Sequence, residues 1–303
     1  MEARIRLPDT LVEHALAFAA GTRTPSEPRF ASTVVLLRES AGTGEAGGDA
    51  GGPGSLEAYL LRRHVDMAFA AGMCVFPGGG VDPRDFDHTV AWAGPSAAEW
   101  AERMGVEEAL ARALVCAAVR ETFEESGVLL AGPTDSSVVA DTTGADWEED
   151  RRALEAREVP LTDFLTRRGL VLRTDLLRLW GSWVTPVVEP RRYDTQFFVT
   201  RLPEGQVARD VSTESDRVLW SRVDEAIRAV DAGEMFMLPP TYCTLLELFE
   251  YGAVADALVA AQGRDLTPVE PAVVPGSDGD AAMYLSIPAH LVDLGHAVRE
   301  RLA

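Results

Sequence analysis

The sequence predicts an α/β fold, and three observations carry that prediction. Forty-seven per cent of the 303 residues are hydrophobic, enough for a sizeable buried core. Strand-like runs rich in β-branched, aromatic and aliphatic residues, Ala31 to Arg38 and Leu56 to Arg63 the plainest, are interleaved with helix-length segments. The longest of those segments, Val106 to Ser126, carries an apolar stripe of Val115, Val119, Thr122 and Phe123, and Gly127 is placed to end it in the left-handed conformation.

The remaining elements follow in order. Asp9 or Thr10 is expected to cap a helix reaching Ala20, which the turn-rich Gly21 to Arg29 ends. Between the first two strands, Ala41 to Ser55 is so rich in glycine that it cannot build a core and reads as a mobile hairpin insertion. Met73 to Phe76 is a short strand, Pro77 to Gly80 a glycine turn, and Ser96 to Met104 a polar helix. Asp141 to Arg168 is helical and charged. Strands are expected at Trp183 to Pro186, Thr195 to Arg201 and Arg217 to Ser221, and a helix at Arg222 to Ala232. Thr241 to Gln262 is a helical pair or one broken helix, followed by a Pro-rich stretch to Pro275, a strand near Met283 to Ile287 and a last helix from Pro288. With no repeat and no clear linker, residues 1–303 are expected to form one domain, its core near 30–240 and a helical extension near 241–303.

Charge narrows the chemistry. A formal net charge of -20 disfavours nucleic acid and anionic membrane surfaces, which both need a basic footprint. The chain has no lysine, so all 28 basic residues are arginine and neither a Walker-type phosphate loop nor a Schiff-base lysine is available. Cys74, Cys116 and Cys243 are odd in number, far apart and set among apolar residues, which suits buried thiols in a reducing compartment better than bridges or a zinc site. No apolar run of eighteen residues appears, and the chain ends Glu300-Arg301-Leu302-Ala303 without a Ser-Lys-Leu address. The expectation is a cytoplasmic protein.

Glu121, Glu124 and Glu125 stand at i, i+3 and i+4, on one face of the long helix. A bare E-x-x-E-E most often marks a solvated acidic face. Here RETFEESGV, Arg120 to Val128, resembles R-E-U-x-E-E-x-G-U, the second half of the Nudix box, with Thr122 where an aliphatic residue is usual. Upstream, PGGGVDPRD, Pro77 to Asp85, resembles the first half, G-x5-E, with Gly79 as the glycine and Asp85 in place of the glutamate. The ordinary box separates that glutamate from the arginine by seven residues, whereas Phe86 to Val119 intervene here, 34 residues.

Leu60 to Arg63, Gly72 to Gly79, Ala117 to Glu125, Trp183 to Pro186 and Arg191 to Phe198 extend the likeness to the peroxisomal coenzyme A diphosphatase branch of the Nudix superfamily, over roughly Ala31 to Pro240. Within the coenzyme A pattern before the box, Arg63 and Gly72 match, Ala68 occupies the position of a second arginine and His64 that of a small residue.

The resemblance implies a Nudix α/β/α sandwich with a mixed sheet, enlarged by helical insertions, and metal-dependent hydrolysis of a nucleoside diphosphate linked to another group. Coenzyme A or an acyl derivative is the preferred substrate; the alternatives are ADP-ribose or a dinucleotide, or a catalytically silent nucleotide sensor. It further implies that Glu121, Glu124, Glu125 and the Gly79 carbonyl hold magnesium or manganese, hard cations suited to oxygen ligands. Arg120 would keep a box carboxylate in register, and Glu214, six residues before Trp220, would supply a further catalytic carboxylate. Arg63, Arg191 and Arg192 are the candidates for substrate phosphates, and Trp180 or Trp183 for an adenine. The expected partner is a small nucleoside diphosphate derivative, with a homodimer left open.

Overall fold

A computed structural model describes residues 4–40, 52–64, 70–276 and 282–303. Residues 41–51 of the glycine-rich insertion, and Ala68, lie outside the described residues.

From the amino end, strand β1 (Arg4–Arg6) leads into helix α1 (Asp9–Ala19), then β2 (Arg29–Glu39), β3 (Leu56–Arg63), β4 (Cys74–Val75) and β5 (Gly78–Gly80). A 3-10 turn (Pro83–Phe86) precedes β6 (Trp92–Ala93), α2 (Ala97–Met104), α3 (Glu108–Ser126) and β7 (Ala131–Gly132). Next come α4 (Ala145–Glu155), α5 (Leu161–Arg167), β8 (Val171–Arg173), β9 (Arg178–Val184), β10 (Tyr193–Arg201), β11 (Ser215–Arg222) and α6 (Val223–Asp231). Helices α7 (Pro239–Leu248) and α8 (Val254–Ala260), strands β12 (Ala272–Pro275) and β13 (Met283–Ser286), and helix α9 (Ala289–Leu302) complete the chain.

The main sheet runs β11-β3-β2-β10-β9, with β4 on β3 and β5 on β2. It is mixed, because β10 lies parallel to β2 while the other pairs are antiparallel. Alternation along β2 sends Val34 and Leu36 to one face and Val35 and Leu37 to the other, and all four are fully buried. The Val34 face packs on α3 through Val115, Val119 and Phe123; the Val35 face packs on α6 to α9 through residues such as Ile227, Leu245 and Leu291. A sheet covered on both sides by helices is the α/β/α sandwich expected. Among the described residues no helix is long and apolar enough to cross a membrane, and Cys74, Cys116 and Cys243 are buried free thiols.

Three expectations need correction. Helix α1 has Pro8 at its cap with no side-chain cap bond, and Asp9 sits inside the first turn. The glycine turn is strand β5, in register with β2 through Thr33 and Gly78, Ser32 and Gly79, and Ala31 and Gly80. A Cβ on Gly78 would stand 2.5 Å from the Ser32 carbonyl, so glycine permits an approach closer than side chains allow. The region beyond Thr241 is not a helical appendage: α7 to α9 form one layer of the sandwich, and β12 and β13 pair with β1. The segment between the two halves of the box is core material. Its Trp100 is fully buried edge-on to Phe198 of β10, 5.8 Å between ring centres.

Candidate active site

Helix α3 is buried from Ala113 to its end apart from the half-buried Glu121, and three of its charged residues are buried with it. Arg120 is 8% exposed and Glu124 and Glu125 are each 7% exposed. Ionised carboxylates are not left in such surroundings without partners. The acidic face is therefore not a solvated one.

The two separated halves of the box meet around Arg120. Its Nε and Nη2 donate to the two oxygens of Asp85, at 3.0 and 2.9 Å, a forked pair buried on both sides. Nη2 also donates to the Gly80 carbonyl at 3.0 Å, and Nη1 donates to Glu121 at 2.6 Å and, more weakly, to Glu124 at 3.4 Å. Glu125 accepts the Gly78 N–H at 2.8 Å. Gly79 is so close that a Cβ there would stand 2.4 Å from Oε1 of Glu121. Asp85 is itself fixed by the 3-10 turn, where it accepts the Asp82 N–H at 2.8 Å. The 34 intervening residues thus leave the pairing of the halves intact.

Burial and mutual repulsion push the carboxylates toward their neutral forms. Glu124 is raised to about 8, by desolvation first and the neighbouring Glu121 second. Desolvation also raises Glu121 against the opposing pull of Arg120, and lifts Glu125 well above the usual carboxylate range. Arg120 is held more firmly charged than a free guanidinium, because Glu121 and Asp85 outweigh its own desolvation. As the side chains stand, no three metal-ligating groups among the described residues converge. Glu121 and Glu124 are turned toward Arg120 instead. The donor set nevertheless suits a hard divalent cation, since it offers clustered oxygens whose ionisation is disfavoured until positive charge arrives.

Glu121 lines a cavity of about 330 Å³ at the end of the sheet, together with Gly78 to Gly80, Arg63, Arg191 and Glu214. Glu214 lies just before β11 and is paired with Arg63 at 3.2 Å. Arg157, from the turn after α4, lines the same cavity and escaped the sequence reading, since an exposed arginine in a charged helical region carries no pattern. Arg192 goes elsewhere. It is buried, donating to the carbonyls of Thr185 and Ser26 at 2.9 and 3.0 Å and pairing with Glu270 at 2.7 Å. No residue from Phe86 to Glu108, in the segment between the two halves of the box, lines the cavity.

A second cavity of about 210 Å³ adjoins the first, sharing Thr33, Val75, Phe76, Tyr193 and Thr195. Its far wall is apolar and includes Trp183, Pro186, Leu238 and Leu285. Trp180 faces the core, where its Nε1 donates to Glu247 at 2.8 Å.

Residues 96–248 match the family model described as the NUDT19 Nudix domain, half of the chain. The chain belongs to the Nudix hydrolase family. It is 28% identical over 282 residues to the acyl-coenzyme A diphosphatase NUDT19 of Gallus gallus, covering 75% of this chain and 71% of that protein. The Xenopus laevis protein of the same name is 24% identical, covering 65% of this chain and 61% of the relative. The chain therefore spans less than two thirds of the frog protein. Among solved structures, a Nudix hydrolase from Alicyclobacillus acidocaldarius superposes with a TM-score of 0.62 at 27% identity, covering 77% of this chain and 96% of the other. The Nudix core and the box geometry are thus the framework within which this chain's own residues act, and Nudix hydrolases generally use divalent metal ions.

Proposed function

We propose that this Nudix hydrolase cleaves the pyrophosphate linkage of coenzyme A or an acyl-coenzyme A. The observation that carries the hydrolase chemistry is the reassembled box, in which Asp85 and Gly79 from one half close on Arg120 and Glu121 from the other. The substrate class is supported by the relatives named acyl-coenzyme A diphosphatase and by the adjoining apolar cavity, which gives room beyond a nucleoside diphosphate.

Glu121, Glu124, Glu125 and the Gly79 carbonyl are the groups that would hold magnesium or manganese, which supplies charge against the pyrophosphate oxygens and acidifies water. Arg120 keeps Glu121 oriented and, through Asp85 and the Gly80 carbonyl, locks the 3-10 turn and β5 to the helix. Glu214, which lines the same cavity as Glu121, would take a proton from the attacking water. The water oxygen bonds to phosphorus while the bridging P–O bond breaks, and its electron pair leaves with the departing phosphate. From coenzyme A the products are phosphopantetheine and adenosine 3',5'-bisphosphate.

A substrate panel with magnesium and with manganese, products resolved by mass, tests the reading beside Glu125→Gln. That variant keeps an acceptor for the Gly78 N–H and should fold, yet lose turnover by orders of magnitude. Near-normal activity in Glu125→Gln would remove the box from the chemistry. Faster cleavage of ADP-ribose than of coenzyme A would remove the substrate.

A further inference from the structure

Arg157 occupies an unusual backbone position for its type. It is the second residue past the end of α4, with φ of +58°, where helices commonly carry glycine because a Cβ is strained there. Its N–H donates to the Leu154 carbonyl at 2.8 Å, and its carbonyl accepts Nη1 of Arg84 at 2.8 Å. Arg84 is itself forked onto Asp82, at 2.8 and 3.0 Å, and Asp82 caps the turn that carries Asp85. The backbone of Arg157 is therefore tied to the first half of the box. Its side chain lines the Glu121 cavity and has no ion pair among the described residues.

Arg191, in the loop between β9 and β10, lines the same cavity. The buried Arg192 pins the β9–β10 loop from beneath through Ser26, Thr185 and Glu270. Its neighbour Arg191 is left exposed at the cavity wall, again with no carboxylate partner among the described residues. Arg63, by contrast, already faces Glu214.

We propose that Arg157 and Arg191 form a second anion site that binds a phosphomonoester of the substrate, separate from the pyrophosphate at the box carboxylates. Divalent cations at Glu121, Glu124 and Glu125 would neutralise the pyrophosphate. Two further guanidinium groups, neither with a carboxylate partner among the described residues, give the cavity positive charge beyond that need. A phosphomonoester dianion takes two guanidinium forks in charge-assisted hydrogen bonds. Resting on the coenzyme A reading above, the site would receive the 3'-phosphate of the adenosine half.

The test compares coenzyme A with dephospho-coenzyme A for the wild type, Arg157→Gly, Arg157→Gln and Arg191→Gln. Glycine relieves the left-handed strain while removing the cation, and glutamine removes the cation alone. The wild type should favour coenzyme A by about tenfold in kcat/KM, and each variant should bring that ratio near one. A ratio that survives in the Arg157 variants, or equal losses on both substrates, would overturn the site; the second result would put the arginine on the pyrophosphate. Calorimetry separates this failure from failure of the substrate reading. Should the wild type cleave neither compound, tighter binding of adenosine 3',5'-bisphosphate than of AMP, lost in Arg157→Gly, would uphold the site without the reaction. Equal binding of the two nucleotides by the wild type would refute it.

Discussion

Replacing Gly79 by alanine probes the reassembled box at its tightest point. The new Cβ would stand 2.4 Å from Oε1 of Glu121, 2.5 Å from its Cδ and 2.7 Å from Oε2. Comfortable contact begins near about 3.5 Å, so the carboxylate must retreat by about 1 Å. It is not free to do so without loss, because Arg120 holds it at 2.6 Å inside a buried cluster. A displacement of about 1 Å in a catalytic constellation costs on the order of a hundredfold in rate, or about 2.7 kcal/mol of transition-state stabilisation. The crowding falls on the far end of a side chain, so stability should change little.

Its two neighbours are built-in controls. At Gly80 the nearest atom to a new Cβ is 3.9 Å away, so Gly80→Ala should behave like the wild type. At Gly78 the new atom meets backbone, the Ser32 carbonyl at 2.5 Å and Thr33 Cα at 2.8 Å, so Gly78→Ala should lower the melting temperature along with activity. The assay is initial rate in saturating magnesium, with a thermal melt on each preparation. Gly79→Ala within twofold of wild type, or Gly80→Ala as damaging as Gly79→Ala, would refute the reasoning that the first half of the box abuts Glu121.

Two further outcomes follow from the charges around Arg120. Because Glu124 is raised to about 8 in the folded chain, its contribution to stability is fully present below its ordinary value near 4.5 and is lost as pH rises through 8. Relative to Glu124→Gln, the metal-free wild type should therefore lose stability between those pH values by up to about 1.4 kcal/mol per unit, and magnesium should restore more at pH 8 than at pH 5; parallel denaturation curves across the window would contradict this. Asp85→Ala leaves a buried guanidinium short of one partner, so urea denaturation should show a loss of about 3 kcal/mol, and a loss below about 1 kcal/mol would mean that Arg120 does not depend on Asp85.

What the sequence made legible was whatever acts through local spacing. The i, i+3, i+4 carboxylates, the apolar stripe through Val115 and Phe123 and the Gly127 terminus all depend on one helix, and each stands where expected. What stayed hidden depends on contacts between distant segments. Strands β6, β7 and β8 are two or three residues long, too short for any alternation to show. Strand β5 is three glycines and has no side chains to alternate at all. Arg191 and Arg192 look alike in sequence, yet one faces the cavity and the other is consumed by two backbone carbonyls and Glu270.

The interrupted box shows why a motif can survive being cut. In the short form, chain connectivity holds the glycine turn to the helix; here 34 residues intervene, and connectivity supplies almost nothing. The work passes to the Asp85–Arg120 fork, the Gly80 carbonyl on Arg120 and the Gly78 N–H on Glu125, three links between the loop and α3. Lengthening a loop costs little conformational entropy per added residue, since the penalty grows only with the logarithm of length. The inserted segment also gains burial of its own, with Trp100 at the centre of the α3 layer and Ser96 capping α2. An insertion at that point is tolerated because it adds core while leaving the cross-links untouched. The constraint on the box is therefore tertiary, and the aspartate at position 85 serves in place of a glutamate because its carboxylate reaches Arg120 from a turn that Asp82 holds in place.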